Sequence, residues 1–260
     1  MPDTPRRRHD QAYRHIFASR HMVRELLQGF VPPGLLADFD LDTLERVNGQ
    51  YVDERLRART TDVVWRMRRR TEPGLRVDPR RDAEYVYVFL LLEFQSRQDK
   101  WMAVRMLAYV ALLYQHLIET RQIGRNQRLP PVLPVVLYNG EARWRAATSL
   151  DDLLPTLPSG LQRLVPRMDY LLIDEGAFDA AHLDALHNAC ATLFRLEHSA
   201  HPRDIETLVG RLNVLLEPEE HRELRRALLT WIRQVFLPHK NFKIEPVDNL
   251  DSLSEVQNML

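Results

Sequence analysis

The chain has 260 residues, 45% of them hydrophobic and 28% charged, and its 36 basic and 36 acidic side chains give a formal net charge of zero. That balance suits a globular protein with room for one α/β domain and a helical extension, and it excludes recognition of nucleic acid through bulk basic charge. A single cysteine excludes an internal disulfide and fits a reducing cytoplasm, and the N-terminal MPDTPRRRHD has no apolar run behind it of the kind a secretion signal needs.

In chain order, QAYRHIF opens a first helix for which Asp10 is a candidate cap. Val47 to Arg59 reads as a strand of mixed polarity, and Thr60 to Met67 as a second, with Val63, Val64, Trp65 and Met67 between charges. From Arg66 to Glu84 runs an Arg-heavy connection containing Pro and Gly, read as a long hairpin loop. Tyr85 to Leu92 is an unbroken apolar run that suits a strand buried on both faces. Asp99 then caps a helix from Lys100 to Thr120, apolar nearly all round and expected deep in a core; Arg105, Gln115 and His116 interrupt it, so it is not a membrane span. Pro130 to Tyr138 is a further strand, closed by the turn Asn139-Gly140, and a strand–helix–strand order of this length implies a parallel crossover. Ser149 to Leu161 reads as a linker-like crossing and Met168 to Asp174 as an edge strand. Three helices follow, over Phe178–Ser199, Arg203–Leu215 and Pro218–Phe236. The expected division is a core over 1–175 and a helical region over 176–260.

One constellation carries chemistry. Asp62 lies near the start of one expected strand, and Glu93 ends the next, 31 residues on, with Gln95 two residues further. Alternation along a strand puts Glu93 and Gln95 on one side and Phe94 on the other. A carboxylate beside so apolar a run is costly unless paired or metal-bound, although a strand simply emerging into solvent also explains Glu93. Two acids on neighbouring strands can hold a divalent metal against a phosphodiester.

The order of elements, with Asp on the second strand and Glu-x-Gln on the third, resembles the PD-(D/E)XK nuclease superfamily. More narrowly the chain resembles the Rpn family of recombination-promoting nucleases, whose members also carry the label "putative transposase". The matching segments are HDQAYRHIF (9–17), TDVVWRM (61–67), LLEFQSRQDKWMAVRMLAYV (91–110) and LPPVLPVVLYNGEARW (129–144). The resemblance implies an α/β fold of PD-(D/E)XK type, a mixed sheet flanked by helices, with a helical C-terminal region. It implies metal-dependent hydrolysis of DNA, with Asp62, Glu93 and the backbone carbonyl of Phe94 as ligands of Mg²⁺ (or Mn²⁺). Gln95 stands where the wider superfamily has Lys. An amide cannot take a proton at neutral pH, so Gln95 orients water or contacts phosphate. His9-Asp10 matches the family's opening pair, without a role that the residues define. Relatives tend to run longer, so a shortened C terminus and a DNA- or partner-binding remnant without cleavage form the alternative reading. Double-strand cutting by one site per chain would favour a homodimer.

Of 36 basic residues, 33 are Arg, and ten of these fall between Arg55 and Arg81, among them Arg68-Arg69-Arg70. Through residue 128 the chain carries 23 basic and 17 acidic groups, net +6, and the remainder is net −6. The arginine-rich stretch is either a solvated loop or an arm that grips phosphate. Arg105, inside an apolar helix, needs a partner, for which Glu93, Asp62 or substrate phosphate is expected. Asn139 is a candidate for the rim of the site, though a tight turn explains it equally. His182 and His187 show no zinc spacing, and Cys190 reads as a small core residue.

Overall fold

The computed structural model describes residues 5–47, 63–70, 85–93, 98–124, 127–140, 142–240 and 252–259, with side chains described for all of these except 5–10, 91–93 and 257–259. In chain order its main elements are α1 (Pro5–Ile16), α2 (Arg20–Phe30), α3 (Pro33–Leu36), β1 (Phe39–Arg46), β2 (Val63–Arg69), β3 (Tyr85–Glu93), α4 (Met102–Glu119), β4 (Val132–Tyr138), β5 (Leu171–Asp174), α5 (Ala180–Ala185), α6 (Ala189–Glu197), α7 (Pro202–Leu215), α8 (Arg222–Trp231), α9 (Leu237–His239) and α10 (Leu253–Met259). They divide into two compact units. One is Pro32–Asp174; the other joins the chain up to Val31 with the chain from Glu175 onward.

The Pro32–Asp174 unit is built on one mixed sheet in the order β1-β2-β3-β4-β5. The first three strands are antiparallel neighbours, and β3, β4 and β5 run parallel. A parallel neighbour cannot be reached by a tight turn, and α4 makes the crossover from β3 to β4. Its Met102, Met106, Tyr109 and Leu113 pack on Tyr87, Phe89 and Val136 of the sheet, with Leu150 and Tyr170 completing the cluster. This α/β architecture, with its C-terminal helical region, is consistent with the PD-(D/E)XK type that the resemblance implies.

Two elements of this unit differ from the reading of the sequence. The first strand described is Phe39–Arg46, earlier than expected; its FDLDTLER has too many charges to register as a strand by apolar content. Charge suits an edge strand, because it discourages pairing with another chain. Val47 donates to the carbonyl of Val64 at 2.9 Å, while 48–59 lie outside the described residues. Helix α4 is buried along one stripe only, and Trp101, Val104 and Ile118 are exposed. A helix lying on a sheet offers it only the positions that recur every three to four residues. Tyr85–Glu93 and Val132–Tyr138 form where expected, and β5 is the expected edge strand.

The second unit is helical. Within α6, Ala189 to Phe194 are all buried, and Phe30 meets Phe178 and Phe194 at ring distances of 4.9 Å. Tyr13 donates its hydroxyl to Glu197 and sits edge-on to Trp231 at 5.9 Å. The stretch read as one helix over Phe178–Ser199 is two. His187 takes a left-handed backbone (φ 50°), and the side chain of Asn188 caps α6 by accepting from the N–H of Ala191 at 2.7 Å. Asp10 lies inside α1 rather than at its cap, since the helix already starts at Pro5, a residue suited to a first turn. Between α8 and α9 the backbone widens into a π-turn over Ile232–Phe236, as expected just ahead of Pro238, which has no N–H for the regular ladder. Among the described residues, no helix is long and apolar enough to cross a membrane.

Candidate active site at the carboxyl end of the sheet

Strand register defines the site. In the antiparallel pair β2/β3, Val63 is opposite Leu90; in the parallel pairs, Glu93 is opposite Tyr138 and Tyr138 opposite Asp174. The start of β2 and the carboxyl ends of β3, β4 and β5 therefore share one end of the sheet. Ligands of open α/β sheets bind outside the carboxyl ends of parallel strands, where the backbone diverges and loops can close around them.

Of the residues singled out in the sequence, Asp62, Phe94 and Gln95 lie outside the described residues, and Glu93 is described through its backbone alone. What the structure does describe is their chain neighbours. Val63 follows Asp62, and its partner Leu90 stands three residues before Glu93. Asn139, half-buried, is the first residue after β4 and so belongs to the same sheet end. Arg105 lies in the first turn of α4. Its guanidinium is 3.2 Å from the Asp99 carboxylate and 3.4 Å from the Tyr109 hydroxyl, so Asp99 is a partner the sequence did not suggest. Tyr109 stacks on Phe89 at 5.4 Å, and Arg105 is one helical turn nearer the start of α4. Asp99 also accepts from the N–H of Trp101 at 2.9 Å, which ties the helix start to the segment after β3.

Arg68, Arg69 and Arg70 are exposed, but at the other end of β2, where Arg68 is opposite Tyr85. At ~3.3 Å per residue, that end is roughly 20 Å from Val63. His9 and Asp10 belong to α1 in the helical unit and are described through their backbone alone. Among the described residues, no group of three or more His, Cys, Asp and Glu side chains could hold a metal.

Sequence reasoning missed how the loop after β4 is held. Gln98 clamps it with both ends of its amide. Nε2 donates to the carbonyl of Arg143 at 2.5 Å, and Oε1 accepts from the N–H of Arg145 at 2.7 Å. The Tyr138 hydroxyl donates to the carbonyl of Ala142 at 2.7 Å, and its ring meets Trp144 edge-on at 4.8 Å. The Trp144 N–H donates to Asp174 Oδ2 at 3.1 Å, and its indole N–H to Ala146 at 3.0 Å. Tyr170 donates to the carbonyl of Ala147 at 3.0 Å; burial pushes this phenol up to about 12, which keeps it a donor. Only glycine fits at 140, since a Cβ there would overlap the Tyr138 phenol, with the ring carbon Cε2 at 2.6 Å. The signal in the sequence was the cluster Tyr-Asn-Gly with Trp144 close behind; nothing local announced Gln98 or Asp174, which lie 45 and 30 residues away from their loop partners.

Comparison with known proteins agrees with this architecture. Residues 7–226 match the family described as "Putative transposase, YhgA-like". The recombination-promoting nuclease RpnD of Escherichia coli O157:H7 is 26% identical over 229 residues, which cover 86% of this chain and 80% of that protein. Recombination-promoting nuclease RpnC of Escherichia coli K12 is 30% identical over 135 residues, 52% of this chain and 39% of that one. The inactive recombination-promoting nuclease-like protein RpnE of the same strain is 24% identical over 208 residues, 80% of this chain and 64% of that protein. No solved structure matches. A mixed α/β sheet with its candidate site at the strand ends is the class of protein seen here. The chain belongs to the YhgA-like family, to which the Rpn recombination-promoting nucleases are related.

Proposed function

We propose that the chain is a metal-dependent DNA endonuclease that hydrolyses phosphodiester bonds in recombination or mobile-element events. The observation that carries this reading is the β2/β3 register. It brings the residue after Asp62 opposite Leu90, although Asp62 and Glu93 are 31 positions apart in the chain. Donor chemistry agrees: two carboxylates and the carbonyl of Phe94 are hard oxygen ligands, the set that Mg²⁺ or Mn²⁺ takes. A divalent cation held there supplies Lewis-acid activation of water and neutralises charge on the phosphate. Asp62 and Glu93 bind that cation. Gln95 orients the attacking water or a phosphate oxygen through its amide, and the proton passes to solvent or to the substrate because an amide has no useful basicity. Arg105, which pairs with Asp99 at 3.2 Å, contributes positive charge toward a bound phosphate in this reading.

The test is nicking of supercoiled plasmid by the full chain in Mg²⁺ or Mn²⁺. Wild type converts plasmid to open circles, and chelation, Asp62→Ala or Glu93→Ala stops it. Conversion that survives both substitutions would sink this reading. One observation favours a second: the relative RpnE is named inactive. In that case the chain retains DNA or partner binding without cleavage, and wild type and Asp62→Ala bind DNA alike while neither nicks.

A further inference from the structure

We infer that Arg143 and Arg145 form a rigid phosphate-binding pair that seats the DNA backbone at the carboxyl end of the sheet; this rests on the nuclease reading above and gives its site a substrate-gripping element. Arg68, Arg69 and Arg70, the run that the sequence offered for this task, stand at the opposite end of β2. The loop after β4 is at the correct end, because Tyr138 pairs with both Glu93 and Asp174.

Its construction separates two exposed charges from a fixed backbone. Trp144 is half-buried against Tyr138, while Arg143 and Arg145 on either side of it are exposed. The peptide groups of both arginines are held by Gln98, which leaves their side chains uninvolved in building the loop. Arg143 is flanked at 3.7 Å by Asp174 and keeps 55% of its side chain exposed, which leaves it open to a further partner. Among the described residues Arg145 has no ion pair, and Glu141 of the same loop lies outside them. Asp174 is itself nine-tenths buried, with Oδ2 on the Trp144 N–H and Oδ1 without a hydrogen-bond partner among the described residues. It works as an anchor, fixing one side of the loop. Two guanidinium forks on a clamped backbone lose little freedom when they meet phosphate oxygens, and planar forks match those oxygens in pairs.

The experiment is fluorescence anisotropy of the full chain on a short DNA duplex in Ca²⁺ buffer, with affinity followed against salt concentration. Each neutralised phosphate contributes about 0.9 to the slope of log affinity against log salt, so R143A/R145A is expected to lower it by about 1.8. The charge-matched control R163A/R167A, at exposed positions of the same unit, keeps the wild-type slope. Q98A, which loosens the loop without removing charge, weakens binding several-fold at unchanged slope. Circular dichroism and the thermal midpoint establish that each variant is folded. Equal slopes for wild type and R143A/R145A overturn the inference, and so does a control that falls as far as the loop variant. Asp62-dependent nicking by wild type in the same preparation keeps the nuclease reading apart from that outcome; loss of both brings down the two together.

Discussion

Substituting Gly140 by Ala tests whether the loop after β4 is held by packing against Tyr138. The added Cβ would occupy the space of the phenol ring, and Tyr138 is fully buried, so the ring can give way only by breaking its own contacts. Those contacts are the hydrogen bond to Ala142 and the edge-on pairing with Trp144. A buried hydrogen bond contributes about 1 kcal/mol and an aromatic pair ~0.5–1.5 kcal/mol, and the displaced hydroxyl left without a partner adds to the loss. A cost of roughly 2–3 kcal/mol follows, which for a unit of this size lowers the thermal midpoint by about 4–12 °C. Gly34 supplies the control, since no atom lies within 4 Å of a Cβ built there. Gly34→Ala should be neutral or stabilising by at most about 1 kcal/mol. Thermal unfolding followed by tryptophan fluorescence compares the two, with Trp144 beside the altered contact. If Gly140→Ala melts within a degree or two of Gly34→Ala, the clash is relieved without loss and the loop owes its position to something else.

Two further outcomes concern the helical unit. Cys190 is fully buried and burial pushes its thiol well up, so native protein should not react with a thiol reagent that labels it promptly in denaturant; fast labelling of the native chain would place the side chain outside the core. His221 packs against His21, with ring centroids 4.1 Å apart and planes tilted by 37°, and with Glu25, Glu220 and Arg225 around the pair; burial followed by the neighbouring His21 lowers its pKa. A lowered histidine pKa means the unfolded chain binds the proton first. Stability from this group is therefore complete above the ordinary value of about 6.5 and falls as pH drops below it. His221→Gln should flatten that part of the profile of thermal midpoint against pH, and an unchanged acid-side slope would exclude His221 as its source.

Local pattern was enough for the elements whose residues report their own surroundings. Tyr85–Leu92 and Val132–Tyr138 are apolar throughout, the pattern of strands covered on both faces, and the crossover helix between them follows from chain geometry alone. Asp62 and Glu93 stand out by residue type and spacing alone, and Asp62 lies outside the described residues. Tertiary structure decided the rest. Strand β1 is recognised by its partner β2, not by its own charged sequence, and the helices before Val31 join those after Glu175 through contacts between distant parts of the chain. Gln98 and Asp174 acquire their roles in the same way: each satisfies backbone groups of a loop tens of residues distant, and a hydrogen bond carries no trace in the sequence around either partner. Periodicity records which face of an element meets apolar matter, but only the assembled sheet fixes which polar groups meet at its end.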